Sequence, residues 1–418
     1  MYALQKVIIY VVIFSLSVCN LLFAQTSKKI DWKEDLDLYK SSLEQKHIDL
    51  YHSVTKEDFL NEWNTIYTNV DSLTDFEIIL KLMRLTRLIN DGHTAVSLRN
   101  VSTHRFPFEI EFIDNDYYVV KTLYENKHIL KTTLESINGI PISSIANKVS
   151  EVAQFVENEY SLKERTVSYL TTSELLFHLN LISSTTKATF GFRNQNSELI
   201  TLELAAITDE IWEGSVISEI HLTVPEIEKP VNSNPDLWFT SISNTKAVYI
   251  NFEGYPSFED MQAFGGQLVS YIKENKIKQV ILDMRENGGG DLYVGVILAY
   301  ALNLADSIDW KNGVLVLTSH KTFSAATSNA ALFMQLLNAK IIGQPTGSNP
   351  NGYQDMDSFT LPNSNVVITY SKRLFRLSNE EHTALQPDLI IFQKRDDFFK
   401  ETDTVLKEVI NSFMFSDN

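Results

Sequence analysis

The chain has 418 residues, a length that predicts two or three domains rather than one small core. Hydrophobic residues make up 44% and charged residues 21% of it, which is typical of an ordinary globular protein. The net charge of −17 argues against a nucleic-acid partner, because proteins that bind phosphate backbones present basic faces.

Residues 1–24 have the layout of a secretory signal peptide. Lys6 supplies a positive start, an apolar stretch covers Val7–Val18, and cleavage is expected after Ala24. The sole cysteine, Cys19, falls in this segment, so the exported chain has no thiol for catalysis or zinc binding. We therefore expect a periplasmic or extracellular protein. The alternative is membrane association through an uncleaved segment, since about 17 apolar residues can just span a bilayer.

Residues 25–100 are predicted to form a helical region that ends in the motif DGHT. Thr74 and Glu77 fit a capping box. The stretch 76–89 that follows is apolar nearly all round, which predicts a buried helix. We expect that helix to end at Asn-Asp-Gly, with Gly92 in a left-handed C-cap conformation.

Residues 101–224 are predicted to form a small mixed α/β, PDZ-like domain. FEIEFIDNDYYVVKTL alternates in polarity around a turn at residues 114–116, which predicts a hairpin. ESINGIPISSIANKVSEV indicates a strand, an Asn-Gly turn and a helix. Residues 225–237 contain three prolines and predict a linker.

Residues 238–418 alternate between strand-like and helix-like segments. Helices are predicted over Phe258–Asn275, Tyr293–Leu304 and Ala325–Asn338, with buried strands between them. This alternation predicts a parallel sheet covered by helices. Ligands gather at the carboxyl ends of such strands. Three loops are expected at that edge, after residues 285, 319 and 343.

Two of these loops carry residues suited to acyl transfer. Gly288, Gly289 and Gly290 follow a buried strand and allow the backbone to approach a ligand closely, as an oxyanion hole requires. A loose strand-to-helix turn is the alternative. Ser324, in KTFSAAT, lies where a strand gives way to a helix. It is either a helix cap or a nucleophile presented at that junction.

A nucleophilic serine needs a base, and the sequence offers several. Lys321 precedes Ser324 by three residues, whereas Lys340 lies beyond the following helix, about 21 Å away along its axis. His93, in INDGHTAV, lies at a corner between a buried helix and a strand and can point into a cleft. His320 is a weaker candidate. No HExxH motif occurs, so a zinc protease is unsupported.

INDGHT, VILDMRENGGG, TFSAAT and IIGQPTG occur in the order and approximate spacing of the tail-specific (C-terminal processing) serine proteases, which the chain resembles over about Asp31–Phe392. That group includes the tricorn core protease and the interphotoreceptor retinoid-binding protein. SINGIPI is similar to a signature of the PDZ module that many members carry. The resemblance implies an α/β fold: a crotonase/ClpP-like α/β catalytic core with an N-terminal helical region and a small PDZ-like domain.

Carried over by motif, the resemblance implies Ser324 as the nucleophile and the amides of Gly289 and Ala325 as the oxyanion hole. Tail-specific members take a lysine base from a TxGKG-like stretch, but TGSNPNG stands there in this chain and has no lysine. Tricorn-like members use a histidine, which matches His93, supported by a glutamate that matches Glu381. Glu380 or Asp91 is the alternative support. Tricorn-like members also have a serine where this chain has Gly92.

The sequence therefore predicts an exported serine peptidase that hydrolyses peptide bonds through an acyl-enzyme. Its partner is a polypeptide substrate, with binding through the substrate's C-terminus as one option. No metal or other cofactor is expected. The alternative is a non-catalytic protein on the same fold that binds a peptide or an apolar ligand. An esterase uses the same chemistry, but no G-x-S-x-G motif surrounds Ser324.

Overall fold

The computed structural model describes residues 29–379 and 382–414. The predicted signal peptide lies outside these residues. The helices are α1 Trp32–Lys46, α2 Lys56–Asn69, α3 Asp75–Arg87, α4 Ile142–Ser150, α5 Glu159–Tyr169, α6 Ser173–His178, α7 Asp209–Glu213, α8 Phe258–Asn275, α9 Leu292–Leu302, α10 Ala325–Leu337, α11 Arg395–Phe399 and α12 Thr404–Met414. Within this part of the chain, none of them is both long and apolar enough to cross a bilayer.

The strands form three sheets. They are β1 Ala95–Ser97, β2 Phe108–Ile113, β3 Asp116–Leu123, β4 Thr133–Ile137, β5 Ile140–Pro141, β6 Lys187–Arg193, β7 Leu199–Ala205, β8 Ile217–Glu219, β9 Leu237–Ser241, β10 Ala247–Phe252, β11 Gln279–Asp283, β12 Val314–Thr318, β13 Lys340–Gly343, β14 Tyr353–Thr360, β15 Val367–Leu374 and β16 Leu389–Ile390.

The mainly parallel sheet has six strands in the order β16-β13-β12-β11-β10-β9. Strands β10 to β13 and β16 pair in parallel, and β9 is antiparallel at the edge. Every residue of β10 and β12 is buried, because α8, α9 and α10 pack on one face and α12 on the other. This arrangement confirms the predicted α/β fold.

A second sheet has the order β2-β3-β4-β6-β7, with β5 and β8 attached to β4 and β3. The predicted hairpin joins β2 to β3 through Asp114 and Asn115, both at positive φ. Apolar side chains of this sheet and of α1, α2 and α3 form one continuous core. The helical region and the mixed sheet therefore stabilise each other.

A three-stranded antiparallel sheet with the order β1-β15-β14 joins the strand that follows the first three helices to the hairpin that follows β13. Ala95 of β1 pairs with Thr369 of β15. Because β1 begins two residues after His93, this pairing brings the DGHT corner beside the β14–β15 hairpin, which follows β13 of the parallel sheet. The hairpin of β14 and β15 has no counterpart among the elements that the sequence predicts.

The end of α3 differs from the prediction in its detail. The capping box of Thr74 and Glu77 is present, and the helix ends three residues before Asn90. Asn90 takes the left-handed conformation, with φ 56°, whereas Gly92 is not among the glycines at positive φ. The prediction that Gly92 forms the C-cap is therefore wrong, because asparagine is the other residue that adopts this conformation readily. Another constraint must account for glycine at position 92.

Candidate active site

Ser324 lies between β12 and α10, one strand away from the glycine loop. Its backbone has φ 54° and ψ −126°, a conformation that residues other than glycine rarely adopt. Its hydroxyl makes no cap hydrogen bond to α10. Its amide donates to Ser348 Oγ at 2.7 Å. The helix-cap interpretation is therefore wrong for this side chain, which points away from the helix.

The Ser324 hydroxyl contacts His93. The distance from His93 Nε2 to Ser324 Oγ is 2.8 Å, across 231 positions of sequence. The imidazole is 2% exposed, and it lies 5.1 Å, centroid to centroid, from the ring of Phe323. Burial lowers the pKa of His93, and the charge of Asp91 opposes that shift. A neutral imidazole beside a hydroxyl is the pair that general-base activation of a serine requires.

Asp91 holds the corner on which His93 lies. Its Oδ1 accepts the His93 amide at 2.9 Å, and its Oδ2 accepts Thr94 Oγ1 at 2.6 Å and His47 Nε2 at 2.9 Å. Asp49 donates its amide to His47 Nδ1, so His47 carries its proton on Nε2. Burial raises the pKa of Asp91. These hydrogen bonds and the charge of a protonated His93 lower it by more, so the pKa lies below its usual value. Asp91 is thus an ionised anchor.

Glu157 is the site residue that the sequence analysis missed. It precedes α5, and its Oε2 lies 3.9 Å from His93 Nδ1. Its Oε1 accepts the Asn349 amide at 3.1 Å. Burial and the charge of Asp91 raise its pKa well above the usual range, against the Asn349 bond. QFVENEY carries no motif, so nothing in the sequence singles out this glutamate.

The glycine loop lies against Ser324. A side chain at Gly289 would place its Cβ 2.7 Å from Ser324 Cβ, and the φ of 109° at this position also demands glycine. The Gly289 amide donates to Asn287 Oδ1 at 2.9 Å, so it is engaged in this conformation. Ala325 begins α10, where amides have no acceptor within the helix. Both predicted oxyanion-hole residues are thus adjacent to Ser324, and their role stays a prediction.

The other candidate bases are held elsewhere. Lys321 Nζ donates to Glu111 at 2.7 Å and to Glu286 at 2.9 Å, and these charges raise its pKa despite burial. Lys340 Nζ donates to Asn312. Burial and the charge of Lys163 lower the pKa of His320 to about 4, and its ring packs on Tyr160. A protonated lysine and a histidine turned to Tyr160 are poor bases for Ser324.

Glu380 and Glu381 lie outside the described residues, so the predicted support of His93 by either one stays a prediction. Across residues 29–379 and 382–414, no cluster of three or more His, Cys, Asp or Glu side chains has the arrangement of a metal site. The chemistry that the described side chains offer is therefore that of a serine hydroxyl, a neutral imidazole and two buried carboxyl groups.

Comparisons with known proteins show the fold. No protein-family model matches the chain, and no curated protein matches its sequence. The chain is similar to mature CPAF, with a TM-score of 0.64 and 11% identity, over 91% of this chain and 95% of that one. Mature CPAF complexed with lactacystin gives a TM-score of 0.63 at 11% identity, over 91% and 96% of the two chains. The photosystem II D1 C-terminal processing protease gives a TM-score of 0.43 at 14% identity, over 86% and 93%. At this level of identity the CPAF structures show a shared fold.

Proposed function

We propose that the protein is a serine peptidase that hydrolyses peptide bonds through an acyl-enzyme. The observation that carries this proposal is the 2.8 Å contact between His93 Nε2 and Ser324 Oγ. Two residues so far apart in sequence are brought together at the carboxyl edge of a parallel sheet, where ligands of such folds bind. The resemblance of four sequence motifs to the tail-specific proteases supports the same reaction.

In the proposed reaction, His93 Nε2 takes the proton of Ser324 Oγ as the oxygen attacks the carbonyl carbon of a peptide bond. The tetrahedral intermediate expels the amine, which receives that proton from His93. Water, deprotonated by the same imidazole, then attacks the acyl-enzyme. The bond from the acyl carbon to Ser324 Oγ breaks, Oγ takes the proton back from His93, and the acid is released. Each half-reaction returns His93 to its neutral form, which suits its buried position.

The oxyanion of the intermediate is proposed to be held by the amides of Ala325 and Gly289. Their place beside Ser324 supports this role, since donors preorganised at the developing charge contribute about 3–4 kcal/mol each. The Gly289 amide must first leave Asn287 Oδ1. Its freedom at positive φ makes such a rotation feasible without a side-chain clash.

A polypeptide is the proposed substrate, and its C-terminus is the proposed anchor. A cavity of about 410 Å³ lies between the edge strand β2 and helix α5. Lys321 lines this cavity and precedes the nucleophile by three residues in the sequence. An extended segment can pair with such an edge strand. Arg105 also lines the cavity. Its Nη2 donates to Glu109 at 2.9 Å, whereas its Nε is buried without a partner among the described residues and could donate to a substrate carboxylate.

The first experiment compares cleavage of an unfolded protein by the purified wild type, Ser324→Ala and His93→Ala, each checked for folding by circular dichroism. We expect both variants to lose cleavage and to lose labelling by a serine-directed covalent probe. If the folded wild type cuts nothing and takes no probe, the peptidase proposal is wrong. The non-catalytic binding protein on the same fold then replaces it.

A further inference from the structure

Two buried polar atoms face each other beside the Ser324–His93 pair without a hydrogen bond. His93 Nδ1 and Glu157 Oε2 are 3.9 Å apart, and neither makes a hydrogen bond of ordinary geometry among the described residues, although the Tyr353 backbone lies near the imidazole and raises its pKa. The two side chains are 2% and 11% exposed. Leaving a buried donor or acceptor without a partner is unfavourable, so a facing pair of them indicates a hydrogen bond that forms in another state.

Asp91 is poorly placed to make that bond. Its Oδ1 also lies 3.9 Å from His93 Nδ1. That oxygen already accepts the His93 amide, and Oδ2 accepts two side chains. Turning Asp91 toward Nδ1 would break the contacts that hold the corner. Glu157 Oε2 can approach Nδ1 without breaking a hydrogen bond.

The surroundings of Glu157 are shaped around its carboxyl group. A Cβ at Gly92 would lie 2.7 Å from Glu157 Cβ and 2.8 Å from Oε2. A Cβ at Gly352 would lie 2.8 Å from Oε1. The need for space, rather than a left-handed turn, therefore explains glycine at position 92.

The loop after β13 holds the other side of this carboxyl. The Asn349 amide donates to Oε1, and Asn158 Nδ2 donates to the carbonyls of Thr346 and Thr383. Ser348 of the same loop accepts the Ser324 amide. One loop thus fixes both the nucleophile and Glu157.

We propose that Glu157 is the positioning residue of His93, accepting a hydrogen bond from Nδ1–H on Oε2 when the imidazolium forms. This inference rests on the proposed peptidase function. When Ser324 donates to Nε2, the ring proton lies on Nδ1 and faces Glu157. A movement of about 1 Å brings the two atoms to the usual charge-assisted distance of about 2.8 Å. Such bonds often tighten only when substrate is bound.

The charged groups around this pair set the expected pH response. Asp91 faces both residues, and Arg165 and Asp355 act on His93 from α5 and β14. Burial and the charge of Asp91 raise the pKa of Glu157, so its carboxylate forms together with the imidazolium that it faces, and that carboxylate raises the pKa of the imidazole. The acidic limb of the pH–rate profile reports the coupled titration of His93 and Glu157. Removing the charge of Glu157 is therefore expected to move this limb to lower pH.

The test compares Glu157→Gln with Glu159→Gln, a matched control that removes an exposed carboxylate two residues away. Peptide cleavage and the rate of labelling by a serine-directed probe are measured against pH. For Glu157→Gln we expect kcat to fall by about 10²-fold or more with little change in KM. We also expect the acidic limb to move down, while the control matches the wild type. Glu157→Asp is expected to recover part of kcat.

Three results would overturn parts of this account, and they are distinguishable. If Glu157→Gln matches its control while Ser324→Ala and His93→Ala are inactive, the peptidase stands and another carboxylate orients His93. If Glu157→Gln loses Tm and kcat together and its acidic limb does not move, the role of Glu157 is structural. If the wild type neither cleaves nor takes the probe, the proposed function itself fails.

Discussion

At the scale of single residues, the site depends on a strained serine and a buried histidine. The φ of 54° at Ser324 is unfavourable for a serine, yet it turns Oγ away from α10 and toward His93. Hydrogen bonds around the junction, such as that from the Ser324 amide to Ser348, offset this strain. Burial of His93 keeps the imidazole neutral until it receives the serine proton.

The pH dependence of cleavage follows from that burial. Because the pKa of His93 is lowered, the acidic limb of kcat/KM is expected below the usual imidazole value of about 6.5, with a plateau by neutral pH. The acidic limb moves to lower pH because the base must be unprotonated, and a buried imidazole loses its proton at a lower pH than an exposed one. A pH–rate profile of the wild type measures this directly. A limb that appears only at alkaline pH would instead indicate a lysine base.

A methyl group at position 92 is expected to displace Glu157. In Gly92→Ala, the added Cβ meets Glu157 Cβ and Oε2 at under 3 Å, so we expect kcat to fall by about 10-fold or more with the fold retained. Gly266→Ala is the control, because a Cβ there meets nothing within 4 Å. Its place inside α8 predicts a gain in stability of up to about 1 kcal/mol. Equal activity of the two variants would contradict the proposed role of the Gly92 space.

At the scale of elements, short antiparallel pairing positions the base. Three residues of β1 pair with β15, and the turn after β14 is held by Asp35 of α1. The buried carboxylate of Asp35 accepts the amides of Asn363 and Ser364 at 2.9 and 2.7 Å. A helix near the start of the described chain thus orders the hairpin that carries His93 to its place.

Asp35→Ala is therefore expected to destabilise the protein. Two amides lose their acceptor in a partly buried position, which costs about 2–4 kcal/mol in the free energy of unfolding. Denaturant titration of the variant measures this loss. Asp37→Ala, which removes an exposed carboxylate from the same helix, is expected to change stability by less than about 0.5 kcal/mol. A difference of under about 1 kcal/mol between the two variants would show that Asp35 is dispensable.

At the scale of the whole molecule, the candidate site lies between two apolar cores. His93 follows elements of the core that the helical region and mixed sheet share, and Ser324 begins a helix of the core on the parallel sheet. Lys321 connects the two parts, through Glu111 of β2 and Glu286 of the glycine loop. The pair exists because these parts are joined, so either part alone would lack half of the site.

Export is also a property of the whole chain, and it stays a prediction. If residues 1–24 are a signal peptide, the secreted protein begins at Gln25. N-terminal sequencing or intact mass of protein from the periplasmic or culture fraction measures this. A chain that keeps residues 1–24 and remains with the membrane would support the uncleaved anchor instead.

Local patterns in the sequence determined much of this structure. The alternation of apolar strands and helices predicted the parallel sheet, because burial on both faces demands it. Capping at Thr74 and the Asp-Asn and Asn-Gly turns needed only neighbouring residues. Ser324, His93 and the glycine loop stood out because their motifs are short and local.

The tertiary structure alone decided which distant groups meet. The β1–β15 pairing, the contact of His93 with Ser324 and the approach of Glu157 join segments separated by dozens to hundreds of residues. Gly92 shows the difference: the sequence suggested a helix cap, whereas the folded chain requires space for a carboxyl group. Backbone conformation depends on near neighbours, but close packing depends on whichever side chains the fold brings together.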